Sequence, residues 1–159
     1  SFKTTQVLNS LPIEKWESIM LVGCGSARHA GLVGKTYFER LTQLPTAVEY
    51  GSEFRDHCDN LKNSTLVLCI SQSGETADTL ASLKYVLQHN QPTMAIVNVL
   101  HSNIAMLANC VLRTVAGPEI GVASTKAYTT QIAVLAILYS AYILLTNKKS
   151  SGGLAVCSQ

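Results

Sequence analysis

Hydrophobic positions along this chain gather into short continuous runs, separated by longer segments with helical spacing. Residues 17–24 (ESIMLVGC), 46–50 (TAVEY), 65–70 (TLVLCI), 93–99 (TMAIVNV) and 110–115 (CVLRTV) read as strands. The third is the clearest, being continuous, β-branched and bounded by polar turns. Residues 27–44 and 75–89 read as helices, the second with Leu80, Leu83 and Leu87 on one face. A last helix is predicted over 125–146. Pro45 and Pro92 stand just ahead of strands, where they end whatever helix precedes them. Strands separated by roughly 10–20 residues of helix need crossover connections, hence a parallel sheet covered on both faces. The expectation is one α/β domain over residues 1–146, a three-layer α/β/α sandwich around five parallel strands. No internal repeat is visible, and residues 147–159 (NKKSSGGLAVCSQ) lose periodicity, which predicts a flexible tail.

Composition sharpens that picture. The 159 residues are 47% hydrophobic and only 14% charged, against about 25% charged in an ordinary soluble domain. So little solvated surface points to elements buried on both faces and to association with a partner, a homodimer being the expected form. A net charge of +2, with no basic run beyond Lys148-Lys149, excludes the electrostatic footprint of a nucleic-acid binder. Disorder is excluded by the apolar content. The five cysteines (Cys24, Cys58, Cys69, Cys110, Cys157) are odd in number and lack a C-x-x-C pair. They predict neither a disulfide framework nor a metal site, and favour a reducing, cytoplasmic setting. Residues 1–11 show no signal-peptide core. The longest apolar stretch, 132–145, contains Tyr139, Ser140 and Tyr142 and is shorter than the ~20 residues of a membrane span. A buried or interface helix is expected there, with no membrane.

Ligands of open α/β sheets bind beyond the carboxyl ends of the strands, near helix N-termini. Three such junctions are rich in Gly, Ser and Thr. In Ser71-Gln72-Ser73-Gly74-Glu75-Thr76, three hydroxyls and an amide precede a helix whose free N–H groups suit an anion. A phosphate could be held there without Lys or Arg. The bland account is that Ser73 or Thr76 merely caps the helix. Glu75 would repel a phosphate, so its carboxylate should point away. Gly23-Cys24-Gly25-Ser26-Ala27 compares with a dinucleotide fingerprint, but Arg28 occupies the third small position and should block close helix–strand packing. Glu49 is a passable ribose acid in that weak match. The third junction, residues 117–126 (GPEIGVASTK), offers Ser124 or Thr125 as a cap and Lys126 as either an anion partner or a solvated lysine. The four histidines show no ligand spacing; His29 lies one turn into the helix after the first junction. Glu53 could reach the site from the loop after the second strand, or pair with Arg55, or cap a short helix.

SQSGETADT (71–79) together with EIGVASTKAYTTQ (119–131) resembles the sugar isomerase (SIS) domain, whose fold is flavodoxin-like. The likeness runs from about Ile19 to Leu145 and is greatest to the first of the two SIS domains in the glutamine–fructose-6-phosphate aminotransferase (glucosamine-6-phosphate synthase) family. That resemblance implies that Ser71, Gln72, Ser73 and Thr76 grip the phosphate of a hexose phosphate of the fructose 6-phosphate class, and that Ser26, Val122 and Ser124 contact the sugar. Where the family usually reads C-G-T-S, this chain has Cys24-Gly25-Ser26-Ala27; Ser26 can replace the Thr hydroxyl, whereas Ala27 offers none.

The resemblance also implies a larger enzyme of hexosamine biosynthesis. A glutaminase domain would release ammonia to attack C2 of fructose 6-phosphate, and a general base in a second SIS domain would move a proton from C1 to C2. On that reading this chain is the substrate-binding lobe, carrying no catalytic residue and no cofactor. Two other classes remain open: a stand-alone phosphosugar isomerase or deglycase acting as a homodimer, with Glu53, Glu119 or His29 as base, and a phosphosugar-sensing regulatory module.

Overall fold

The computed structural model describes residues 13–58, 61–117 and 125–152. After a single 3-10 turn (Ile13–Lys15) come β1 (Ser18–Gly23), α1 (Ser26–Thr42), β2 (Thr46–Tyr50), α2 (Phe54–His57), β3 (Thr65–Ser71), α3 (Ala77–Gln88), β4 (Thr93–Val97), α4 (Asn103–Leu107), β5 (Cys110–Arg113) and α5 (Thr125–Gly152). The five strands form one parallel sheet in the order β2-β1-β3-β4-β5. Strands 3 and 4 are buried at every position, as continuous apolarity requires when both faces are covered. One face carries Ile19, Leu21, Leu68, Ile70 and Ile96 against α1 and α5, with Phe38, Leu135 and Leu138 in that layer. The other carries Val22, Val67, Cys69, Ala95 and Val97 against Phe54, Leu83, Val86 and Ile104. This is the expected three-layer α/β/α sandwich.

Close helix–strand packing at the first junction survives Arg28, contrary to expectation. A methyl group on Gly23 would lie 3.1 Å from the Arg28 backbone nitrogen, and one on Gly31 3.3 Å from Val48 Cγ1. The contact is therefore made by the backbone and by Gly31, one turn further along, while the Arg28 guanidinium lies 3.9 Å above the Tyr50 ring, out of the way.

The boundaries differ where local chemistry intervenes. Helix α3 begins at Ala77 rather than 75, because Gly74 takes φ 69° and Thr76 is extended. Strands β4 and β5 end at Val97 and Arg113, where Asn98 and the chain after Arg113 turn to each other's polar groups. Helices α2 and α4 are single turns of four and five residues, too short to leave a periodic signal. The last helix runs past the expected end at Thr146 to Gly152, so residues 147–152 of the predicted tail continue it. Its segment Thr125–Asn147 contains an 18-residue window of mean hydropathy 1.6 and is long and apolar enough, by length and composition alone, to cross a membrane. In this fold it packs on α1: Leu135 touches the Gly34 position, and Tyr37 and Tyr139 rings meet at 5.4 Å.

Candidate functional site

Connections leave β1 toward one face of the sheet and β3 toward the other, so a crevice opens between two adjacent strands at their carboxyl ends. Gly23 pairs in register with Ile70 there, which brings the first and second junctions side by side. This is the switch point at which open α/β sheets bind their ligands.

Residues 71–76 form a tight, internally bonded loop. Ser71, buried at the end of β3, accepts the Gly74 N–H at 2.9 Å, and its hydroxyl lies 2.9 Å from Thr76 Oγ1. Ser71 keeps a second lone pair besides the one Gly74 uses, so either hydroxyl of the Ser71–Thr76 pair can donate to the other. Ser73, half-buried, accepts the Glu75 N–H at 3.1 Å and keeps its own proton for a ligand. Gly74 sits at φ 69°, and a side chain there would run into Ser102.

No side chain caps α3: Thr76 stands at the N-cap position, yet its hydroxyl turns back to Ser71. The capping account of these hydroxyls therefore fails, and among the described residues no side chain caps the start of this twelve-residue helix. Helix α1 is uncapped in the same way, with Gly25 at φ 54° in the N-cap position and Ser26 exposed in the first turn. Two positive helix ends thus converge with three hydroxyls and the Gln72 amide on one crevice, an arrangement suited to a small anion.

Glu75 does point away from the crevice. Its carboxylate accepts the Asn103 N–H and the Asn103 side-chain amide, both at 2.7 Å. These bonds, the side-chain one foremost, hold its pKa below the usual glutamate value. Two backbone bonds complete the brace, Asn98 N–H to Gln72 O at 3.0 Å and Ile104 N–H to Gly74 O at 3.1 Å. The turn from β4 into α4 thus buttresses the loop, a role that no motif at Asn98, Ser102 or Asn103 announces. The signal available was an N-cap serine and asparagine directly after a strand.

The other candidates scatter. His29 is exposed on the first turn of α1, and Glu53 is exposed at the N-cap position of α2 without a cap bond. Glu49 is half-buried in β2. Lys126 is exposed in the first turn of α5. Glu119, Val122 and Ser124 lie outside the described residues. Cys24, half-buried between the two loops, approaches Thr79 Oγ1 at 3.7 Å. Cys69 lies beneath the site in β3, where burial pushes its thiol up to about 12. A separate cavity of about 560 Å³, lined by Lys15, Trp16, Asn63, Gln91 and Asn109 among others, opens at the amino ends of the strands. The helices present their carboxyl ends on that side, which disfavours an anion.

The family model for the SIS domain matches residues 12–141. The chain is 43% identical, over 90% of its length, to the glutamine–fructose-6-phosphate aminotransferase (isomerizing) of Methanosarcina mazei, of which it covers 23%. It is 52% identical over 77% of its length to that of Bradyrhizobium diazoefficiens, covering 20% of it. It thus spans about a fifth to a quarter of the curated relatives it matches. Among solved structures, the C-terminal domain of glucosamine-fructose-6-phosphate aminotransferase from Francisella tularensis superposes with a TM-score of 0.82 at 38% identity, over 92% of this chain and 40% of that one. A putative phosphosugar isomerase from Silicibacter pomeroyi superposes with a TM-score of 0.79 at 25% identity, over 89% of this chain and 43% of that one.

Proposed function

The chain belongs to the SIS domain family, and from that footing we propose that it is the hexose-phosphate-binding lobe of a glutamine–fructose-6-phosphate aminotransferase. The observation that carries this reading is the uncapped start of α3 beside three hydroxyls, of which Ser71 and Thr76 are bonded to each other and Ser73 to the Glu75 N–H, none of them capping the helix. Ser73 and Thr76 donate to the phosphate, Gln72 adds its amide, and Ser71 holds the Thr76 side chain in place through the bond between their hydroxyls. Ser26 meets the sugar from the first junction, and Val122 and Ser124 from the third. Neutral donors and helix N–H groups carry the anion's charge, and Glu75 is tied off on Asn103 so that it does not oppose them.

The chemistry of the whole enzyme is then shared. Ammonia released from glutamine by a glutaminase domain adds to the C2 carbonyl of fructose 6-phosphate with loss of water. A base in a second SIS domain then moves a proton from C1 to C2, giving the aminosugar phosphate. This lobe fixes the substrate relative to that base, a contribution of positioning rather than of proton transfer. Support for a partial role comes from the relatives being more than four times as long as the matched region. Assembly through α5 into a homodimer, a cytoplasmic setting and the absence of membrane or nucleic-acid contacts belong to the same proposal. Exposed Leu41, Ile137 and Leu144 on α1 and α5 support the assembly.

Calorimetric titration with fructose 6-phosphate tests the reading, with fructose and NADH as controls. Saturable binding of the phosphorylated sugar alone, weakened about tenfold in Ser73→Ala by loss of one hydrogen bond to a charged group, is the expected result. Binding of NADH, or equal binding of unphosphorylated fructose, would overturn it.

A further inference from the structure

One side chain joins the phosphate loop to the chain leaving β5, and nothing in the loop motifs announces it. Asn98 directly follows β4, and its backbone N–H is already bonded to Gln72 O. Its Oδ1 accepts the Ala116 N–H at 2.8 Å and the Thr114 hydroxyl at 3.2 Å, and its Nδ2 donates to Gly117 O at 3.3 Å. The Arg113 side chain donates to its carbonyl at 3.3 Å. A single residue thus bonds to Gln72 on one side and to four of the five positions 113–117 on the other, skipping only Val115.

Val115 shows that this segment is held rather than self-determined. It is β-branched, 69% exposed and sits at φ 54°, a region such residues avoid. No packing of its own side chain accounts for that conformation. Asn98 bonds the residues on both sides of Val115, Thr114 and Ala116, and so spans the strained position.

We propose that Asn98 is a positioning residue for hexose-phosphate recognition, its side chain clamping residues 114–117, which lead into the third junction, to the phosphate loop so that the loop and the start of that junction form one rigid frame. The inference deepens the phosphate-loop reading and rests on it. A phosphate ion alone needs only the loop, whereas a hexose phosphate also meets the third junction, into which residues 114–117 lead, and needs the two in register. Only the second ligand senses the clamp.

The test uses the full natural protein, titrated with fructose 6-phosphate and with inorganic phosphate, while amide exchange is followed at Ala116 and Gly74. In Asn98→Ala the Kd for fructose 6-phosphate should rise about tenfold and that for inorganic phosphate stay within about twofold, as expected for loss of a few neutral hydrogen bonds remote from the anion. Ala116 should lose its protection while Gly74, bonded to Ser71, keeps it. Asn98→Asp retains an oxygen for the Ala116 N–H; its added charge weakens both anions alike, so the ratio of the two Kd values and the Ala116 protection should return. If Asn98→Ala fails to fold, Thr114→Val removes one contact of the clamp and should shift the same ratio in the same direction by a smaller factor. Equal weakening of both ligands, or an unchanged ratio with Ala116 deprotected, overturns the inference while leaving the phosphate loop intact. Absence of uptake of either ligand by the wild type overturns the phosphate-loop reading, and the positioning role with it.

Discussion

Replacing Gly74 with alanine strikes the site through geometry alone, without removing any polar group. The backbone there sits at φ 69°, and a Cβ would overlap the Ser102 side chain. Placing an L-residue in that region costs roughly 1–2 kcal/mol. Forcing a methyl into an occupied space adds about 1–3 kcal/mol. For a domain of this length each kcal/mol lowers the melting midpoint by about 2–4 °C, so Gly74→Ala should melt about 5–15 °C below the wild type. The loop must also shift to admit the methyl, which carries Ser73 and Thr76 off their positions and weakens hexose-phosphate binding well beyond what the stability loss explains. Ser102→Gly removes the obstructing atoms and forfeits the Ser102 hydroxyl bond to Val99 O at 2.6 Å, a loss of about 1 kcal/mol. Combined, the two changes should destabilise less than their separate effects add up to, by about 1–2 kcal/mol, because they share one contact. Thermal and urea unfolding of the four proteins, with fructose 6-phosphate titrations beside them, reads all of this. Strict additivity, or a Gly74→Ala protein as stable as the wild type, would refute the argument.

Alkaline unfolding should expose the buried thiol of Cys69. Its folded pKa is about 12 against an ordinary value of 9.0, so above pH 9 the unfolded chain loses a proton that the folded chain keeps. Stability should therefore fall by about 1.4 kcal/mol per pH unit between those values, and Cys69→Ala should flatten that slope in urea titrations. Acid acts on Glu75 in the opposite sense: its lowered pKa makes its bonds to Asn103 fully present above the ordinary glutamate value and progressively lost as pH falls below it. Exchange at the Asn103 amide should accelerate over that range in wild type and show no such dependence in Glu75→Gln. Where α1 crosses α5, a methyl on Gly34 would lie 3.0 Å from Leu135 Cδ1. Gly34→Leu should accordingly destabilise by about 1–3 kcal/mol, with hexose-phosphate affinity retained in the folded fraction. Size-exclusion chromatography with light scattering should give a dimer that Ile137→Glu with Leu144→Glu converts to a monomer; an unchanged dimer would place the interface elsewhere.

The architecture was legible because strand burial is written into composition. TLVLCI and TMAIV can satisfy a sheet only if both faces are covered, and helix-length spacers between them leave only parallel crossovers. The loop of residues 71–76 was legible for a similar reason: three hydroxyls and a glycine before an amphipathic helix exceed what a cap needs. Local chemistry of that kind travels with the sequence. The short helices α2 and α4 did not, since one turn has no period, and the true start of α3 turned on the φ of Gly74 rather than on any pattern. Arg28 misled because side-chain size was weighed without its direction; the guanidinium leaves the packing surface for the Tyr50 ring.

By itself, then, the sequence determined the layers, the parallel sheet and the place of the loop of residues 71–76, all of which depend on residue type at short range. Tertiary structure alone decided what holds that loop in shape. Strand order β2-β1-β3-β4-β5 sets β4 beside β3 and β5 beside β4, and only that adjacency brings Asn103 to Glu75, Ser102 to Gly74, and Asn98 to both Gln72 and Ala116. These partners lie 18 to 28 residues apart along the chain. No local periodicity links positions so far apart; their meeting is a property of the sheet, through hydrogen bonds that form once the strands have been placed.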